Sequence, residues 1–241
     1  MRIDPATDSG CYVPVMRPFR YHAPETIADA VALLAAAPGA SSLMAGGTDL
    51  LVQMRRGART PDHVIDIKRI RKLHTLVFSE DNGLTFGAAV PCARLCEAPE
   101  VVAHYPGLVD AFSLIGGVAT QGRATIGGNV GNAAPSADSV SPLIVHGATC
   151  TIAGPSGSRT VPVDRLCLGP GKTALEPGEI ITTFHVPPPS PGAAGAYLRF
   201  TPRGEMDIAV AGAAAWLQID DGVIAGIQVA LTAVAPRPLP V

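Results

Sequence analysis

Residues 45–49 read Ala-Gly-Gly-Thr-Asp, and residues 125–129 read Thr-Ile-Gly-Gly-Asn. Paired glycines leave the backbone bare, and bare backbone suits the capture of a phosphate. A pyrophosphate needs several N–H donors within reach, and side chains at the contact block close approach. A helix N-terminus directly behind such a loop adds unpaired N–H groups and a positive partial charge. The stretch AGGTDLL has this form: the end of a strand, two glycines, Thr48 or Asp49 as a cap, then an apolar helix through Leu50, Leu51 and Met54. The stretch TIGGNVGNAAPSAD supplies a second glycine-lined turn. Two such loops can close on one pyrophosphate from both sides. Taken singly, each pair also reads as an ordinary tight turn. Other nucleotide motifs fail. No GxGxxG occurs, and GPGKT at 169–173 lacks a Walker loop because the required first glycine falls at Leu166.

The elements that must hold these loops can be read from periodicity. Residues 1–16 form a lead-in, and residues 17–70 read as β-α-β-α-β. Phe19–Tyr21 is strand-like, and Ile27, Ala30, Val31 and Leu34 give the next helix one apolar face, stopped at Pro38-Gly39. Ser42–Ala45 and His63–Ile67 complete the unit as strands. Residues 71–189 follow a different rhythm. A hairpin turns at SEDNG, helical stretches follow near 93–102, 106–115 and 139–146, and a second hairpin turns at PSG. The Pro-rich stretch 187–195 is a linker. Residues 190–241 hold three strand-like runs, with DDG turning the last two. Such a thin sheet has little to cover its second face. The expectation is that the chain continues beyond residue 241 or that a partner covers that face.

Composition narrows the function. A formal net charge of −2 gives no electrostatic case for nucleic acid. Charged residues make up 16% of the chain, well under the usual share, so part of the surface is expected to face other subunits. The five cysteines are scattered, without CxxC or zinc spacing, so neither a metal site nor an iron–sulfur cluster is expected on this chain. Free thiols, an N-terminus without an apolar leader and no apolar run of membrane length together suggest a reducing, cytoplasmic setting.

AGGTDLLVQMRRG and ATIGGNVGNAAPSAD, taken together, resemble the FAD-binding medium subunits of the xanthine dehydrogenase and carbon monoxide dehydrogenase family of molybdenum hydroxylases. FRYHAPETIADAVALLA, GKTALEPGEIITTFHVP and RFTPRGEMDIAVAGAA extend the likeness from about residue 17 to the end. The resemblance implies an α+β fold. It comprises a two-subdomain FAD-binding domain of the vanillyl-alcohol-oxidase/p-cresol-methylhydroxylase type and an incomplete C-terminal domain of the CO dehydrogenase flavoprotein type. It implies FAD on this chain, two [2Fe–2S] clusters on a small partner subunit and molybdopterin on a large one. Electrons would pass through FAD to NAD, a quinone or oxygen.

By the same resemblance, Ala45, Gly46, Gly47, Thr48 and Asp49, with Thr125, Ile126, Gly127, Gly128 and Asn129, line the pyrophosphate. The glycines act through their backbone, while Thr48 and Thr125 offer hydroxyls. Asp138 either bonds the ribose side or caps the helix near Ser139. Asn132 and Ser136 either touch the adenosine or satisfy loop backbone. Ile181 flanks the flavin ring or is plain core. Arg199 either lies near the isoalloxazine or is a strand arginine reaching solvent or an acid. Lys172 is a loop lysine within reach of phosphate or solvent. Trp216 packs the C-terminal sheet. The family's Arg-Asn before the second loop is replaced by Gln121-Gly122, which puts the local loop geometry, or a contact to a neighbouring subunit, in question. No catalytic acid, base or nucleophile is expected. A free-standing FAD oxidoreductase and an assembly subunit without FAD are the competing readings.

Overall fold

The computed structural model describes residues 16–204 and 206–241. Residues 1–15 of the lead-in, Cys11 among them, lie outside the described residues. The first unit comprises β1 (Arg20–His22), α1 (Ile27–Ala36), β2 (Ser41–Met44), α2 (Leu50–Arg55) and β3 (His63–Asp66). Its sheet is parallel, in the order β1-β3-β2. Helix α1 starts where Thr26 caps it: the Asp29 amide donates to Thr26 Oγ1 at 3.1 Å. Ala30 and Val31 then pack with Ile65 and Ile67. Met44 pairs with Asp66 at the carboxyl end of the sheet, so the first glycine loop leaves from there.

Two turns of 3₁₀ helix, Ile67–Arg69 and Arg71–His74, lead into the second unit. It begins with the hairpin β4 (Leu76–Ser79) and β5 (Gly83–Gly87). Short helices follow: α3 (Cys92–Glu97), α4 (Pro99–His104), α5 (Pro106–Phe112), α6 (Val118–Gln121), α7 (Ile126–Asn132) and α8 (Val140–Val145). The hairpin β6 (Thr149–Gly154) and β7 (Gly157–Pro162) comes next. A small two-stranded ribbon, β8 (Cys167–Gly169) with β9 (Lys172–Thr173), and then β10 (Ile180–Val186) complete the unit. The five-stranded sheet runs β4-β5-β10-β6-β7 with antiparallel pairing throughout. Strand β10 is central, with five of its seven residues buried. Phe184 from β10 stacks on Phe86 from β5, with centroids 5.2 Å apart, at the middle of the main core.

The second glycine stretch is a helix and not the expected turn. Thr125 stands at the cap of α7, and both glycines fall in its first turn. The Gly128 amide donates to Thr125 Oγ1 at 3.0 Å, and the Asn129 amide to the Thr125 carbonyl at 2.9 Å. A good cap and tertiary packing here override the poor helix propensity of glycine.

The C-terminal sheet is an antiparallel meander of β11 (Ala193–Phe200), β12 (Ala211–Asp220), β13 (Val223–Thr232) and β14 (Leu239–Pro240). Its inner face, with Tyr197, Ala214 and Ala230 buried and Trp216 packed beside them, rests on α5 and α8. On the outer face Leu198, Ala213, Leu231 and Leu239 form one cross-strand row. Leu198 is 80% exposed and Phe200 65% exposed, so that face is apolar and open.

Candidate cofactor site

The two glycine stretches meet. A cavity of about 270 Å³ lies between the first two units, walled by Ala45–Asp49 on one side and by Thr125, Gly127, Gly128 and Asn129 on the other. Ile181, from β10, closes part of its floor. Ten of the thirteen expected residues therefore share one cavity.

The glycines are there for different reasons. A Cβ on Gly46 would fall 1.9 Å from the Arg123 carbonyl oxygen, and one on Gly127 would fall 2.4 Å from the Ala88 carbonyl oxygen. Both positions are glycine because backbone from another segment lies against them. Gly47 has φ +77°, which favours glycine. Gly131 has no such reason, and Gly128 only a weak one. A Cβ on Gly128 would meet only Thr125 Oγ1, at 3.1 Å, and one on Gly131 would meet nothing within 4 Å. They lie three residues apart on α7, one turn along the face that walls the cavity. This face is kept bare where the protein does not need it bare.

The donors are also unequally divided. Among the described residues, the backbone N–H groups of Gly46, Gly47, Thr48 and Asp49 meet no acceptor. In the second stretch the Gly127 amide is taken by the Ala88 carbonyl at 3.2 Å, and the Gly128 amide by Thr125 Oγ1. The amides of the first loop are thus open, whereas those of Gly127 and Gly128 are engaged within the protein. In the second stretch the open donors lie on side chains. The Thr125 hydroxyl accepts from Gly128 and keeps its own hydrogen to give. Asn129 Oδ1 accepts from the Ser139 hydroxyl at 2.6 Å, leaving its NH₂ free. Neither Thr48 nor Asp49 caps α2 with its side chain; Asp49 occupies the cap position and is exposed at the cavity rim.

Three expected residues stand off the cavity wall. Ile126 is fully buried in the main core. Asp138 and Arg199 meet each other: Arg199 Nη1 donates to Asp138 Oδ2 at 2.8 Å, and the Tyr197 hydroxyl donates to Oδ1 at 2.8 Å. Burial pushes the Asp138 carboxyl up, against the opposing pull of Tyr197 and Arg199. The Asp138 side chain thus ties the C-terminal sheet to the start of α8, and it does not cap that helix. Lys172 is exposed in β9, away from the cavity. At the departure from the family pattern, the Gln121 side-chain amide donates to the Ser113 carbonyl, and the next residue but one, Arg123, supports Gly46.

Residues 17–189 match the FAD-binding domain of molybdopterin dehydrogenases, and residues 196–241 match the CO dehydrogenase flavoprotein C-terminal domain. The chain belongs to this family. Against a putative xanthine dehydrogenase FAD-binding subunit of Escherichia coli K12 it is 38% identical over 220 residues, covering 91% of this chain and 75% of that one. Against the carbon monoxide dehydrogenase medium chain of Hydrogenophaga pseudoflava it is 36% identical over 221 residues, covering 92% and 76%. The solved carbon monoxide dehydrogenase of that organism, in a form lacking the Mo-pyranopterin moiety, superposes with a TM-score of 0.90 at 35% identity, over 94% of this chain and 78% of that one. This molybdenum hydroxylase flavoprotein subunit is thus an FAD-binding oxidoreductase component.

The residues present fit such a group. A run of open amides and the buried Ser41 Oγ, which has no partner among the described residues and lies on the same wall, offer polar contacts to such a group, and the bare helix face leaves room for it. Ser41, Gln53 and Gly131 were not singled out in the sequence. Gly131 was legible in principle, by its helical spacing from Gly128. Ser41 and Gln53 carry no local signal.

Proposed function

We propose that this chain is the flavin relay of a molybdenum hydroxylase complex. It takes electrons from the [2Fe–2S] clusters of a small partner subunit while a large molybdopterin subunit oxidises the substrate. It passes them on to NAD, a quinone or oxygen. The carrying observation is the cavity in which the open amides of Gly46–Asp49 face the bare α7 surface of Gly128 and Gly131. Bound FAD supplies the exchange between one-electron clusters and a two-electron acceptor. This chain's own work is to hold and orient it. Gly46–Asp49, with the Thr125 hydroxyl and the Asn129 amide, bind the pyrophosphate, and Ile181 offers an apolar contact. Asp49 and Arg59 are the ionisable side chains on the cavity wall, with no histidine, tyrosine or paired carboxylate beside them. That wall favours a relay over a free-standing enzyme that must move substrate protons. The cytoplasmic placement rests on Cys92, Cys96, Cys150 and Cys167, which are free thiols.

The test is a visible absorption spectrum of the purified chain, followed by denaturation to release the cofactor. A flavin spectrum and released FAD are expected. A folded, colourless chain that also fails to take up added FAD would overturn the reading. Mixed with the reduced iron–sulfur partner, the flavin band should bleach.

A further inference from the structure

The first glycine loop is held from behind. Lys68 Nζ donates to the Ala45 carbonyl at 3.0 Å, and Ala45 immediately precedes Gly46-Gly47. The same ammonium pairs with Asp66 Oδ1 at 2.8 Å. Asp66 is itself fixed by three further constraints. It ends β3 beside Met44, its Oδ1 accepts the Lys68 backbone amide at 3.0 Å, and its Oδ2 accepts the Tyr21 hydroxyl at 2.6 Å. On the other side, His74 Nε2 bonds the Lys68 carbonyl at 2.8 Å. Lys68 does not line the cavity.

A peptide unit is planar, and in the trans form its C=O and N–H point to opposite sides. No peptide bond among the described residues is cis. Holding the Ala45 oxygen against Lys68 therefore turns the Gly46 N–H the other way, to the side where no protein acceptor meets it. Gly46 and Gly47 have no side chains to steady their own planes. Without an anchor, the loop would sample orientations that aim this donor elsewhere, and binding would have to order it. We propose that Lys68 is a positioning residue for the cofactor. Through the Ala45 carbonyl it aims the Gly46 amide at the FAD pyrophosphate, with Asp66 and Tyr21 holding Lys68 in place. This inference rests on the reading of the glycine loops as the FAD site.

The experiment titrates flavin-free full-length chain with FAD, ADP and adenosine. Wild type is compared with Lys68→Met, Lys68→Arg and Tyr21→Phe. A bond from a charged donor implies that Lys68→Met weakens FAD and ADP by about tenfold or more. Adenosine, which has no phosphate, should change less than about twofold. Lys68→Arg, which can still donate to the carbonyl, should restore FAD affinity to within about threefold. Tyr21→Phe should weaken FAD and ADP by a smaller factor in the same direction. FAD affinity within about twofold of wild type in Lys68→Met would overturn the proposal. So would an equal loss for all three ligands, which marks general collapse of the site. Should Lys68→Met not fold, Tyr21→Phe decides: Tyr21 is 56% exposed, and unchanged FAD and ADP affinity there would overturn the proposal. A wild-type chain that binds no FAD would instead fail the site reading itself.

Discussion

Gln53 Nε2 donates to Asn132 Oδ1 at 3.0 Å, joining the helix behind the first glycine loop to the helix that carries the second. Both residues line the cavity, so the bond spans the two units that must close on the cofactor. Removing either side chain should loosen that closure. Gln53→Ala and Asn132→Ala are each expected to raise the rate of FAD release by about two- to tenfold. The double variant should lose no more than either single one, because one bond is being removed twice. Fully additive losses in a flavin-release assay would show that the two residues act separately.

The two classes of glycine should respond in opposite ways. Gly131→Ala fills space that the protein leaves open, and alanine favours helix, so the flavin-free chain should gain up to about 0.5–1 kcal/mol. Its flavin content should fall. Gly127→Ala drives a methyl into the Ala88 carbonyl and should cost roughly 1–3 kcal/mol of stability. Denaturant midpoints set beside flavin-to-protein ratios separate the two. A flavin-replete Gly131→Ala chain would remove the case for a ligand on that face.

Arg199 and Asp138 form a buried pair, with side-chain exposures of 7% and 9%. Breaking such a pair leaves a charge without its partner in a dry setting. Arg199→Met is expected to cost about 3 kcal/mol in urea unfolding, with Asp138→Asn restoring part of the loss when combined with it. A loss well under about 1 kcal/mol would mean that water already screens the pair.

His146 carries the acid sensitivity of the C-terminal sheet. It caps the end of α8, meets Tyr105 edge-on, and its buried Nε2 has no hydrogen-bond partner. A Cβ on Gly195 of β11 would fall 2.5 Å from that nitrogen. Burial pulls its pKa from 6.5 down to about 4. Between those values the unfolded chain binds more protons than the folded one, so stability falls as pH drops. The contribution is complete above about pH 6.5 and is lost toward pH 4, amounting to roughly 3 kcal/mol. Melting temperatures across this range should decline in the wild type and flatten in His146→Gln. Parallel curves would place the acid sensitivity elsewhere.

The sequence carried the parallel unit, both hairpins and the Asp221-Gly222 turn, because each is written in short-range periodicity and turn chemistry. Strand, helix and strand alternate before residue 67, and Gly222 takes the positive φ that its turn requires. It also carried ten of the residues on the cavity wall, through a resemblance that runs from about residue 17 to the end. What it could not carry was tertiary. Helix α7 reads as a loop because glycine is a poor helix former, and only the Thr125 cap and the packing of Ile126 and Val130 decide otherwise. The partnership of Asp138 with Arg199 spans 61 residues, and no local pattern announces it. Nor does Gly46 disclose that a carbonyl from Arg123 lies where its side chain would be.

The division among the glycines has a consequence inside a cell. Cellular quality control acts on the unfolded fraction, which folding stability sets. A lesion at Gly127 would expose the chain to proteolysis and remove it. A lesion at Gly131 would pass inspection, accumulate as a colourless subunit and compete with intact copies for the same assembly partners. The first is a recessive loss of protein. The second, in the proposed complex, would be a dominant poison, and a screen that scores abundance or solubility would rank it as an improvement.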